Sequence, residues 1–536
     1  ARGTYGHPSP GPGWRIACTR EKGETVGTRY NGWCRHVITR INQTHPAVVY
    51  GLLAVLMAAV FVPMSLFRLV DGDEGTYLLV SRLVAEGQLP YHDFYYPQMF
   101  LLPYVYGAWM KLVGYSWYGA RVLSALLSIA LGLLVCRQTA HLAGARAWGV
   151  LAAVLFTFTS LAFGWYPLIK PFVLPTLLLF AAYVVISSHS TRWKWVASGF
   201  LLGLAVACRL YVIAVTPAFL LEIYLTEKAL KPRLMQLAGF TIGLVIALLP
   251  TELFFLIGPE TFIFNVVGSQ VIRTDYTALS WWQQKISAPM TLLAINSGER
   301  VISIQFLLFL FPLNLGSWIS SAVSRERLTL ASSIAILLIL ASFIPTPVYT
   351  QYFCMPLPFL MVNAVVFYAS LTRDVSAPQL RHFFAALATL YVLLSPYDFS
   401  RYTIGGEQMP GSLVYADAVN WQLPTIRAVG QAIDRELRPD RPFAISFWPG
   451  YLVETKAAIL PGTENHFALM FADRVTPSEI VQFKLMSYPR LLWHFQRHTV
   501  DVVVLGNWTP DTSSVREQLA HSGYTLRERI AKTEMP

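Results

Sequence analysis

Charge is what this sequence has least of. Only 13% of its 536 residues are Asp, Glu, Lys or Arg, about half the share usual in soluble domains. That scarcity excludes the string of soluble domains that length alone would suggest. Paired cysteine is missing as well. Cys18, Cys34, Cys136, Cys208 and Cys354 are scattered, with no CxxC pair and no zinc spacing, so neither a disulfide framework nor a metal centre is indicated. The net charge of +11 is not gathered into one patch, and nucleic-acid binding lacks the footprint it needs. No GxxxxGK[ST], no GxGxxG opening a helix after a strand, no HExxH and no GxSxG occurs. Nucleotide-driven transport, intramembrane zinc proteolysis and serine hydrolysis are therefore unsupported. No internal repeat stands out, which counts against a transporter.

What is present is apolar sequence, 54% of the chain. Runs near the ~20 residues needed to cross a bilayer recur up to residue 396. The fold class predicted is a polytopic α-helical membrane protein with a small C-terminal α/β domain. Residues 1–45 hold seven basic residues against two acidic. They read as a disordered cytoplasmic tail and not as a cleavable signal, since no small-residue cleavage site follows the first apolar run. The membrane domain is expected over 46–396, with spans at 47–68, 119–137, 147–165 and 170–187. The stretch 196–225 lies between basic loops and reads as two short helices turning near Arg209. Further spans are expected at 234–257, 301–322, 328–344, 352–371 and 383–396. The total is about eleven.

Positive charge near the span ends places the N-terminus inside, the outer loops at 69–118 and 258–300, and residues 397–536 outside. The apolar stretch 99–113 is read as lying along the interface, because counting it as a span would put the basic loop 137–146 outside. In the C-terminal part, 443–447 and 500–505 read as buried strands, 478–496 and 512–522 as helices, and 525–530 as an edge strand.

Four features carry chemistry. Asp71-Gly72-Asp73-Glu74-Gly75 follows the first span and sets three carboxylates within four positions, a costly choice near lipid. Such a carboxylate can take a proton from a hydroxyl or hold a divalent cation; a solvated acidic turn is the plain alternative. His92 and Asp93 follow on the same outer loop and could turn back to this cluster. Arg121, Lys170 and Arg209 sit at outer boundaries, where they could bind phosphate or simply snorkel. Pro345-Thr346-Pro347 with Gln351 and Tyr352 either leaves polar groups facing a cavity or makes a tight turn.

Together these residues resemble the GT-C superfamily of polyprenyl-phosphate-sugar-dependent glycosyltransferases, nearest the protein O-mannosyltransferase and aminoarabinose-transferase branch. The matching runs are Asp73-Glu74-Gly75, Glu86-Gly87-Gln88-Leu89-Pro90-Tyr91-His92-Asp93-Phe94, Gly119-Ala120-Arg121, and Gln351-Tyr352 with Pro356 and Pro358. The resemblance spans about 47–396. It implies Asp73 as catalytic base, helped by Glu74, and a donor of undecaprenyl- or dolichyl-phosphate type held by Arg121, Lys170 and Arg209. Asp71, His92, Gln351 and Tyr352 are expected to bind substrate. Where many relatives carry an Asp after the third span this chain has Lys170-Pro171, which leaves Asp93 as the second acidic candidate.

The segments Trp448-Pro449-Gly450-Tyr451 and 461–467 resemble C-terminal domains of bacterial relatives. The expectation is a membrane glycosyltransferase that moves a sugar to an acceptor hydroxyl with inversion, the acceptor being a lipid, glycan or protein. No cofactor is required, although a divalent cation fits the scheme. The alternatives are a non-catalytic assembly or sensor protein and a lipid-linked-sugar transporter.

Overall fold

Twenty-two residues with no charge on any face form helix α1 (Pro46–Phe67), a run that can meet lipid all round because its backbone bonds are internal. The computed structural model describes residues 39–530 apart from 189–192, 274–280, 293–299, 375–377, 405–417, 440–441, 507–508 and 510–511. Most of the expected N-terminal tail, with Cys18 and Cys34, lies outside the described residues. Cys136, Cys208 and Cys354 are buried free thiols. Residues from Pro46 onward form one compact unit.

After α1 and a polar turn come α2 (Glu74–Ala85), α3 (Leu101–Val113) and α4 (Trp117–Ala143). The 13 residues of α3 are too few to cross a bilayer; it packs against α2 and α4. The Ser116 hydroxyl caps α4 by accepting from the Gly119 N–H at 3.4 Å, and Gly144 at φ 72° ends it, a left-handed position that favours glycine.

The span expected at 147–165 is two helices, α5 (Arg146–Thr157) and α6 (Ser160–Trp165). The break is stabilised from a distance: the Gln305 side chain accepts from the Ser160 N–H at 2.9 Å and donates to the Phe158 carbonyl at 2.9 Å. Peptide groups freed by a break between apolar helices need such partners.

Beyond α7 (Val173–Ser187), the stretch read as two short helices is α8 (Lys194–Cys208), a 3₁₀ turn and α9 (Thr216–Thr226), with the chain turning at Arg209. Next comes α10 (Leu230–Ile257), which lies close against α8. A Cβ on Gly199 would stand 1.9 Å from the Phe240 carbonyl oxygen, and one on Gly243 would stand 2.0 Å from that of Val196. Small residues are what permit this backbone approach.

Among the described residues, five helices are long and apolar enough to cross a membrane: Pro46–Phe67, Trp117–Ala143, Leu230–Ile257, Phe306–Val323 and His382–Ile404. Six shorter apolar helices, α5 and α7 among them, fill in between. The protein is an integral membrane protein.

The C-terminal region holds a parallel sheet of β1 (Phe443–Ser446), β2 (Ala458–Ile459) and β3 (Val502–Val504), in the order β2-β1-β3. Residues 525–530, expected as an edge strand, are irregular. Their charges pair instead with the helix Leu423–Glu436, through Arg435–Glu528 at 2.7 Å and Arg527–Glu436 at 3.7 Å. The helix expected at 478–496 breaks into Pro477–Gln482 and Tyr488–Gln496, with Lys484 at φ 58° between them.

This module seats on α2. Arg82 donates to the carbonyls of Leu452 at 2.9 Å, Thr455 at 2.8 Å and Ala457 at 3.3 Å. Gly75 admits Gly450 so closely that an added Cβ would lie 2.5 Å from its Cα.

Gly243→Leu is expected to wedge α8 from α10 and lower stability by about 1–3 kcal/mol. Thermal unfolding in detergent checks it; an unchanged midpoint would refute the close packing.

Candidate functional site

The site grows from the turn between α1 and α2. Leu69 and Val70 donate their N–H groups to the carbonyls of Tyr402 at 3.0 Å and Trp421 at 2.7 Å, which fixes the chain leaving the membrane helix. Asp71 Oδ1 then accepts from the Asp73 N–H at 3.1 Å, and the Glu74 N–H donates to the Asp71 carbonyl at 3.0 Å. An aspartate bonding its own backbone two residues on is a recurrent way to close such a turn.

Within it, the carboxylates have separate fates. Glu74 is fully buried and meets Arg121 in a fork: Arg121 Nε to Oε1 at 2.7 Å and Nη2 to Oε2 at 2.6 Å. Its oxygens also accept from the N–H groups of Ile169 at 3.2 Å and Asp71 at 3.3 Å. Arg121 Nη1 donates to the carbonyls of Ser65 at 3.2 Å and Arg68 at 2.8 Å. Arg121 was expected to bind donor phosphate and Glu74 to assist the base. With no surface and with their polar atoms committed to each other and to backbone, they are placed as framework.

Asp71 and Asp73 share Lys170. Its ammonium lies 2.6 Å from Asp71 and 3.2 Å from Asp73, carried on the link between α6 and α7. The Asp71 side chain is nearly closed off, whereas that of Asp73 keeps 33% of its surface. Burial pushes the Asp71 carboxyl above its ordinary range, against the pull of Lys170. Burial also acts upward on Asp73, but Lys170, His466 and Arg273 outweigh it and hold the carboxyl down to about 2. Asp73 is thus an ionised carboxylate at neutral pH, and it opens onto a cleft.

That cleft is narrow and partly open to solvent, with about 30 Å³ of cavity space. Asp73, Thr76 and Tyr77 form one part of its lining, Tyr96 to Gln98 with Gln270 and Arg273 another, and Asn465, His466, Phe467 and Phe471 of the C-terminal module a third. The Thr76 hydroxyl lies 3.2 Å from His466 Nδ1. The Trp448 indole donates to the Gly72 carbonyl at 2.7 Å, so the module touches the acidic turn itself.

Arg209 and Tyr352 join this neighbourhood. The Arg209 guanidinium sits over the rings of Phe172 at 4.8 Å, Tyr211 at 4.6 Å and Tyr352 at 5.3 Å, a favourable seat for a delocalised cation. It donates to the Pro171 carbonyl at 3.1 Å, and its Nε has no partner. Tyr352 feels the charges of Arg273, Arg209, Asp73 and Lys170. Beside it, Gln351 Oε1 is buried without a partner.

His92 and Asp93, by contrast, pair with each other at 2.7 Å while their side chains stay 59% and 38% exposed. Asp93 also accepts from the Leu89 N–H at 2.7 Å. The charges acting on it are those of His92 and Lys484, not those that act on Asp73. The expectation that these two turn back to the first cluster gives way to a solvated turn closed on itself.

Sequence reasoning missed Asn465 and His466 as partners of the turn, and also Arg273. Arg68 escaped it too: this guanidinium is buried over Trp165 at 4.5 Å and Tyr402 at 5.0 Å, with Nε and Nη2 unpartnered. No periodicity reports which loops meet across more than three hundred residues. Among the described residues, no group of three or more His, Cys, Asp or Glu side chains is placed to hold a metal ion.

ArnT from Cupriavidus metallidurans in the apo state matches with a TM-score of 0.54 at 16% identity, covering 84% of this chain and 92% of that one. The same protein bound to undecaprenyl phosphate matches with 0.53 at 17% identity, covering 84% and 91%. The oligosaccharyltransferase of Archaeoglobus fulgidus, at a TM-score of 0.39 and 14% identity over 75% of this chain and 60% of that one, is too distant to carry an argument. No protein-family model and no curated protein matches the chain. The chain has the ArnT fold, the fold that the resemblance in its motifs implied.

Two outcomes are expected. Arg121→Ala strands the Glu74 charge and should cost about 3–5 kcal/mol, whereas Glu74→Leu with Arg121→Met should recover most of that loss. Unfolding of the two in detergent decides; equal losses would sink the reading. Next to the cleft, burial pushes the Glu464 carboxyl from 4.5 up to about 8, against the donation it receives from the Gly462 N–H at 2.8 Å. A raised folded-state value means that the protonated form stabilises the fold. That contribution is whole below about 4.5 and is lost as pH climbs through 8. Glu464→Gln should flatten the fall in unfolding temperature over that window.

Proposed function

We propose that this chain, with its ArnT fold, is a membrane glycosyltransferase that moves a sugar from a polyprenyl-phosphate carrier to an acceptor hydroxyl. The observation that carries the reading is the Asp73–Lys170 pair at 3.2 Å, with the carboxylate opening on a cleft in a fold whose solved counterpart binds undecaprenyl phosphate.

In this mechanism the acceptor oxygen attacks the anomeric carbon, the bond from that carbon to the phosphate oxygen breaks, and the phosphate leaves with the electron pair. The acceptor proton passes to Asp73. One displacement gives inversion. A carboxyl held at about 2 is a weak base at rest, but the arriving phosphate competes for Lys170 and lets Asp73 regain basicity. The hydroxyl also grows acidic as its bond to carbon forms, so the proton moves late. Lys170 and Arg209, with Arg273, would neutralise charge gathering on the leaving oxygens, and Tyr352 and Gln351 would hydrogen-bond substrate beside them. Asp71 keeps Lys170 in place. The scheme requires no metal, although a divalent cation fits it, and the Lys170 ammonium lies between the two carboxylates. The N-terminus is assigned to the cytoplasm and the C-terminal module to the outer face, where the acceptor, whether lipid, glycan or protein, would be met.

The test uses purified protein in liposomes, a panel of polyprenyl-phosphate sugars and a crude envelope extract as acceptor, and follows release of polyprenyl phosphate. Asp73→Asn should lower release by about 10²–10⁴-fold; release equal to the parent's would remove Asp73 as base. Between pH 4 and 7, kcat/KM of the parent should stay level on its acid side. Lys170→Met removes the cation, so the Asp73 value rises and the acid limb should move up into that range. No release from folded parent with any donor would favour the sensor or transporter alternatives.

A further inference from the structure

The cleft has a wall that the proposed chemistry does not use. Asn465 is 2% exposed. Its Oδ1 accepts from the Phe467 N–H at 2.9 Å, which settles the amide's orientation, because a backbone N–H requires the oxygen there. Nδ2 is therefore the other arm, and it is buried with no partner. Tyr96, from the loop after α2, lines the same cleft, fully buried, and its hydroxyl also lacks a partner. Buried polar atoms are nearly always satisfied, so an orphan on each of two residues that line one cleft asks for an explanation. The same lining carries aromatic rings, Phe467 stacked on Phe471 at 5.8 Å with the Arg273 guanidinium over the Phe467 ring at 4.8 Å. A neutral amide donor, a phenol and stacked rings are poor tools for a phosphate, which Arg and Lys serve better. They suit a ring carrying hydroxyls on its edge and polarised C–H bonds on its face.

We infer that this wall seats the transferred sugar: Asn465 Nδ2 donates to a sugar oxygen, Tyr96 bonds a second hydroxyl, and the ring lies toward Phe467. Asn465 is then a specificity residue supplied by the C-terminal module, whereas Asp73 and Lys170, which act at the anomeric end, come from the membrane part. The inference rests on the transferase reading. It adds that donor recognition divides in two, with phosphate held by cations and sugar held by this wall.

The two halves separate in a binding experiment on the full chain in lipid nanodiscs. The probes are undecaprenyl phosphate alone and undecaprenyl phosphate carrying mannose, glucose or aminoarabinose, titrated against tryptophan fluorescence. At least one sugar-bearing carrier should bind the parent more tightly than the bare carrier. Asn465→Ala and Tyr96→Phe should each weaken that carrier by about three- to tenfold, the worth of one hydrogen bond, and leave the bare carrier unchanged. Tyr96→Phe deletes a hydroxyl that bonds nothing in the free protein, so its unfolding temperature should not fall, which guards against loss of fold. Equal weakening of bare and sugar-bearing carriers, no weakening of either, or no sugar improving on the bare carrier would each overturn the inference. Failure of the bare carrier to bind the parent would instead remove the transferase reading beneath it.

Discussion

Everything around the acidic turn depends on the fork between Glu74 and Arg121. A carboxylate and a guanidinium with no solvent contact attract strongly, but each has given up its hydration, and the arrangement survives because further bonds complete it. Those bonds reach outward: Arg121 takes the carbonyls of Ser65 and Arg68 at the end of α1, and Glu74 takes the N–H of Ile169 beside Lys170. One ion pair therefore ties α1, α2, α4 and the α6–α7 link at a single point. Lys170 is held at a useful distance from Asp73 because the residue before it is bonded to the pair's carboxylate.

This division of labour explains why three carboxylates crowd one turn. Glu74 is consumed by the framework, Asp71 anchors the lysine, and only Asp73 faces the cleft with surface to spare. The cations divide in the same way. Arg121 has nothing left to offer, Lys170 is shared, and Arg209, cushioned by aromatic rings, keeps its Nε without a partner. A low-dielectric boundary rewards such sorting, since an unmatched charge there is costly.

Much of this was legible in the sequence. The apolar run of α1, the turn at Arg209 and the short α3 follow from span length and the placement of basic residues, which are local properties. The acidic turn was legible because carboxylates beside lipid are costly. What stayed hidden was non-local. The break before Ser160 depends on Gln305, which lies 145 positions away. Arg121 looks like any boundary cation until its partner is seen, and His92–Asp93 looks like a site until its exposure is known. The short strand Ala458–Ile459 has too few residues to show a period, while 525–530 showed one and spent its charges on a neighbouring helix. Asn465 and His466 carry no signal in isolation, because their meaning comes from the loop they meet.

The contact from the Trp448 indole to the Gly72 carbonyl joins residues 376 positions apart. During synthesis the acidic turn leaves the ribosome long before its last neighbours exist. The membrane part can insert and pair Glu74 with Arg121 at once, yet the wall bearing Asn465 arrives only when the module has been made and docked. A half-made chain therefore holds the carboxylate without the surface that would present a substrate to it. Completion of the polypeptide acts as a timer on the site.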